Sequence, residues 1–146
     1  MYKLLLVFML STGMLLAYTV GDTVDKSVVQ KLNLKKDRLY VIDFFASWCH
    51  SCKKEMPLIS KVYRDKVVSV IGINVDKDIA LGKAFVSKHK VPFPVVYDKG
   101  QKLIALFNPA GVPALYYIKN GKVLAMHIGA MKNIDMKIKE EVKGLK

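Results

Sequence analysis

A chain of 146 residues with 52% hydrophobic and 25% charged side chains can bury one core without disulfides or a structural metal, and is too apolar to be disordered. Its formal charge of +12, from 24 Lys and Arg against 12 Asp and Glu, is spread between apolar positions. There is no basic stripe with stacking aromatics, so nucleic acid is not the expected partner; the diffuse excess instead suits anionic lipid headgroups or an acidic protein.

Residues 1–17 read apart from the rest. Met1 to Lys3 make a short positive start, and Leu4 to Tyr18 form an uncharged apolar run, the n- and h-regions of a secretory signal. The mature protein is therefore expected outside the cytoplasm. No clean small-x-small cleavage site precedes Tyr18, and the run approaches the roughly 17 residues that span a bilayer. A cleaved signal peptide and an N-terminal membrane anchor both stay open. One domain over residues 18–146 is expected to follow, since no linker or repeat divides it.

Tyr40 to Ala46, "YVIDFFA", predicts a strand. Ser51 to Arg64 predicts a helix, with Met56, Ile59 and Tyr63 on one face and Pro57 inside it. The apolar run Val67–Val75 predicts a strand covered on both faces, and hence a right-handed βαβ unit. "DIALGKAFVSKH" predicts a second helix weakened by Gly82, "FPVVYD" a short strand and "QKLIALFN" a short helix. "ALYYI" and "KVLAMHI" flank Asn120-Gly121, a strong hairpin signal. A closing helix starts at Asn133, read as its N-cap, with Ile134, Ile138, Val142 and Leu145 on one stripe. The sum is an α/β domain with a mixed sheet.

The only two cysteines, Cys49 and Cys52, lie in "FFASWCHSCKKEMP" between the first strand and its helix. A structural zinc site wants four ligands, whereas this chain adds only His50, His89 and His127, far apart in sequence; no metal site is expected. As a staple the pair closes a four-residue loop, worth only about 2 kcal/mol. Thiol exchange fits better, because a thiolate is favoured at a helix N-terminus. On this reading Cys49 is the exposed attacking sulfur and Cys52 the more buried, resolving one. Asp43, in the apolar strand, and Glu55, one turn beyond Cys52, are each placed to take the Cys52 proton. Each also has an ordinary alternative: Glu55 as a solvated residue, Asp43 as partner of a lysine. His50 either tunes the thiolate or is solvated.

"VIDFFASWCHSCK" together with "GVPALYYIKNGKVLAMHIGA" resembles the thioredoxin superfamily over roughly residues 40–146. The resemblance implies a thioredoxin fold, a central mixed sheet flanked by helices, and a redox-active Cys49–Cys52 disulfide. It implies that Pro113 is a cis-proline, that Val112 offers its backbone to an extended substrate, and that Gly129 permits close approach. Trp48 matches the tryptophan of the active-site motif and joins the substrate-binding set. The inserted "VPFPVVYDKGQKLIALFN" and Glu55 are similar to the TlpA/ResA-like exported reductases, some of which serve cytochrome c maturation. That group usually has Asn where this chain has Asp43, the thioredoxin choice, and His50-Ser51 lacks its common Pro. The implied activity is a thiol-disulfide oxidoreductase without cofactor, acting in the periplasm on protein disulfides such as that of apocytochrome c and re-reduced by a membrane electron donor. A disulfide oxidase or isomerase, and a dithiol copper carrier, are the rival functions.

Overall fold

The structure, a computed structural model, describes residues 16–146, so all but the last two residues of the expected export segment lie outside it. In chain order the elements are α1 (Lys26–Lys31), β1 (Leu39–Phe45), α2 (His50–Arg64), β2 (Ser69–Asn74), α3 (Ile79–Lys88), β3 (Val95–Tyr97), α4 (Lys102–Phe107), β4 (Ala114–Lys119), β5 (Lys122–Ile128) and α5 (Ile134–Leu145). The sheet order is β3-β2-β1-β4-β5. β1, β2 and β3 run parallel, while β4 is antiparallel to both β1 and β5. This is the mixed sheet the sequence predicts, with β3 and α4 supplied by the insert. Among the described residues no helix is long and apolar enough to cross a membrane.

All seven residues of β1 are buried, because the sheet is covered on both sides. Alternation along the strand sends Asp43 and Phe45 to one face and Ile42 and Phe44 to the other. Phe45 meets Phe85 of α3 at 5.5 Å. Phe44 packs on Phe107 of α4 at 4.9 Å and on Tyr116 of β4 at 5.8 Å. Successive right-handed crossovers in one direction place α2 and α3 on the Asp43 face, where α5 packs against α2. The chain reverses after β3, so α4 lies on the opposite face.

Several local devices hold these elements. The Asp78 side chain caps α3 by accepting from the Ala80 N–H at 2.9 Å. Asp98, buried at 1% exposure, accepts from the N–H groups of Leu103 and Ile104 at the start of α4, both at 2.9 Å. Asn120 and Gly121 both have positive φ, 52° and 74°, as a tight two-residue hairpin requires. Gly82, expected to weaken α3, is needed there: a Cβ would overlap the Asn74 amide.

Two expectations change. Asn133 sits at the N-cap of α5 but has a left-handed φ of 54° and makes no side-chain cap. Its carbonyl instead accepts from the N–H groups of Met136 and Lys137, since capping by the side chain needs an extended backbone. The helix α1 has no counterpart in the sequence reading. It forms because Val28 is fully buried, and the segment before it runs along β5: Thr23 bridges to Lys122, the Gly21 N–H donates to Val123 O, and the Val123 N–H donates to Asp22 O.

Candidate active site

Cys49 is the N-cap of α2, in extended conformation, and its Sγ accepts a hydrogen bond from the Cys52 N–H at 3.1 Å. The two cysteines form a disulfide with Cα atoms 5.2 Å apart. The sulfur thus sits where the free N–H groups and the positive end of the helix favour a thiolate. One expectation is corrected. In this oxidised form Cys49 is buried, at 6% exposure, although Cys52 is the more buried of the two as expected, at 2%. Exposure falls instead on Trp48, at 68%, and on His50.

Both acidic candidates are buried, which removes the reading of Glu55 as a solvated residue. Glu55 accepts from the Met131 N–H at 2.6 Å, and Asp43 is 3% exposed. Among the described residues no lysine pairs with Asp43. Burial, and then the nearby Glu55 carboxyl, push Asp43 up to about 7. Burial also raises Glu55, against the lowering effect of the Met131 N–H. The two carboxyls therefore share one apolar region behind the disulfide, and each holds its proton longer than a surface acid does.

Val112 and Pro113 are joined by a cis peptide bond. Pro113 is buried and Val112 half-buried. Among the described residues neither the N–H nor the C=O of Val112 finds a backbone partner. The carbonyl of Pro113 accepts from the Gly129 N–H at 2.8 Å. Gly129 has φ +91° and open space where a side chain would point, so this position favours glycine on backbone grounds. A cavity of about 540 Å³ is lined by Trp48, the residue before Cys49, and by Leu81, Ile104 and Val112, among others.

Sequence reasoning missed the support beneath the motif. Asp76, 3% exposed, accepts from the Ser47 N–H at 2.9 Å, the Ser47 Oγ–H at 2.6 Å and the Asn74 Nδ2–H at 2.7 Å. It pins the turn that presents Trp48 and Cys49. The only signal was a polar pair, Asn74 and Asp76, at the end of an apolar run.

A model of the AhpC/TSA family matches residues 17–126. The chain belongs to that family. It is 37% identical over 107 residues to thiol-disulfide oxidoreductase ResA of Bacillus thuringiensis (strain Al Hakam), covering 68% of this chain and 61% of that one. The match thus spans only about three-fifths of the relative's length. Two solved structures share the fold. StoA from Bacillus subtilis superposes with a TM-score of 0.65 at 23% identity, over 74% of this chain and 86% of its own. MTB dsbF, solved in mixed oxidized and reduced forms, superposes with a TM-score of 0.68 at 24% identity, over 76% and 83%. For this family member the fold is the thioredoxin fold.

Proposed function

We propose that this protein is a thiol-disulfide oxidoreductase working outside the cytoplasm, mainly as a reductant of protein disulfides. The observation that carries the proposal is the Cys49–Cys52 disulfide at the start of α2, with an unpaired Val112 peptide lining the same cavity as Trp48, the residue before Cys49. The name of the relative, thiol-disulfide oxidoreductase ResA, supports the same chemistry. Residues 1–17 act as signal or anchor, and residues 18–146 as the working domain.

In the forward direction the Cys49 thiolate attacks one sulfur of a substrate disulfide, forming a mixed disulfide and expelling the other substrate sulfur as a thiolate. Cys52 then gives its proton to Glu55 or Asp43 and attacks the Cys49 sulfur. The substrate leaves with two thiols, and the Cys49–Cys52 disulfide remains. A carboxyl titrating near 7 suits that proton transfer at neutral pH. The Val112 peptide, with Trp48 and the open surface at Gly129, holds the substrate as an extended strand beside the sulfurs. Apocytochrome c, with its paired cysteines, is the substrate to test first, and a membrane dithiol donor would restore the reduced state.

The purified protein, reduced, is expected to open a model protein disulfide, and its Cys52→Ser variant to accumulate the mixed disulfide on Cys49. No exchange with any dithiol or disulfide would sink the proposal. A measured potential near the roughly −270 mV of thioredoxin supports reduction, while one near about −120 mV reverses the assigned direction.

A further inference from the structure

The positive charge that looks diffuse along the sequence converges in space. At the pole opposite the cysteines, the start of β1, the end of α2, the start of β2 and the end of β4 surround a cavity of about 630 Å³. Arg38, Arg64, Lys66, Lys119 and Lys146 line it, with Asp37 as the one acidic side chain in its wall. Among the described residues none of these five cations is in an ion pair.

The neighbouring carboxylates are already engaged. Asp37 accepts from Asn120 Nδ2 at 3.1 Å, while its own N–H donates to Asn120 Oδ1 at 2.7 Å. Asp65, just after α2, is held by Lys61 at 2.5 Å and Lys139 at 3.3 Å. A simpler account would have the cations complement the negative ends of α2 and α5. It covers Arg64, in the last turn of α2, and Lys146, just after α5. It does not cover Arg38, Lys66 or Lys119, which lie on loops and a strand end. Taking about half a charge for each helix end, one for Asp37 and one for the main-chain carboxylate of Lys146 still leaves roughly +2 around one concavity. Such a cluster repels itself unless it shares a counter-ion.

We infer that this cavity binds a phosphate-bearing anion. Two guanidinium forks match the several oxygens of a phosphate, and the lysines add point charge that a singly charged carboxylate would leave unbalanced. The buried side chains of Leu39 and Val68 form an apolar wall for whatever carries the phosphate. A lipid headgroup and a soluble phosphate share this chemistry. The 15 residues of α2, about 22 Å at 1.5 Å per residue, separate the cavity from the disulfide. The inference therefore does not rest on thiol exchange, and a bound headgroup would leave the disulfide facing away from the bilayer.

The test uses the full chain at low ionic strength with two probes. One is inorganic pyrophosphate, followed by calorimetry; the other is vesicles of phosphatidylglycerol in phosphatidylcholine, followed by co-sedimentation in excess of phosphatidylcholine alone. At least one probe should bind. Arg38→Gln with Arg64→Gln should weaken it by roughly tenfold or more, and Lys66→Gln with Lys119→Gln should act alike. Lys88→Gln with Lys99→Gln removes the same charge elsewhere and should retain binding. Pyrophosphate binding identifies a soluble phosphate, and vesicle binding alone identifies a headgroup. The inference is overturned if neither probe binds, or if the control pair weakens binding as much as the cavity pairs.

Discussion

Asp43 carries the clearest consequence of a single side chain. Its carboxyl titrates at about 7 instead of 3.8, so between those values the folded protein holds a proton that the unfolded chain has lost. Stability from this group is fully present at low pH and declines as pH rises toward 7, at about 1.4 kcal/mol per unit, or about 4 kcal/mol in all. Glu55 is also raised and acts in the same direction. Asp43→Asn should leave stability near pH 4 almost unchanged and raise it by a few kcal/mol at pH 8. Urea denaturation of the oxidised protein at both values checks this; equal pH dependence in both proteins would contradict it. The same substitution should slow release of a mixed disulfide if Asp43 takes the Cys52 proton.

Two elements meet beneath the motif, and their junction depends on Asp76. Its carboxylate ties the turn after β1 to the end of β2 through Ser47 and Asn74. Asp76→Ala would leave the buried Asn74 amide and the half-buried Ser47 N–H and hydroxyl without their acceptor, costing about 1–3 kcal/mol for each that water does not reach. The expected result is lower stability together with slower exchange, since Trp48 and Cys49 lose their fixed turn. Thermal unfolding and single-turnover exchange would measure the two effects. At the start of α2 the disulfide closes only a four-residue loop, so reduction should cost about 2 kcal/mol of stability. Comparing denaturant midpoints of the oxidised and reduced protein tests that value, and a much larger loss would mean that α2 itself unwinds. Most elements were legible because their periodicities are strong. The strand before the cysteines, the Asn120-Gly121 hairpin and the stripe on α5 need only local information. Helix α1 was not legible, because six residues containing two adjacent valines carry little helix propensity and only tertiary burial of Val28 decides the matter.

Across the whole molecule, what escaped the sequence is what folding brings together from afar. The cysteine motif was plain, and Val112, Pro113 and Gly129 were placed by resemblance. The hydrogen bond from the Met131 N–H to Glu55 joins residues 76 apart, and Ser47 and Asp76 are 29 apart. No spacing rule foretells either. The five cations of the basic cavity run from position 38 to position 146, so a search for charge runs passes over them. One further property follows from the backbone beside β5. An outermost strand offers a row of free amide and carbonyl groups to any passing chain. Here residues 21–24 occupy part of that row through Gly21, Asp22 and the Thr23 bridge, while the other outermost strand, β3, is only three residues long. The stretch just after the apolar N-terminal run thus serves as a guard against self-association. Deleting residues 1–24 should yield a chain that folds but forms oligomers at raised concentration, visible by light scattering. Deleting only residues 1–17 should leave it dispersed.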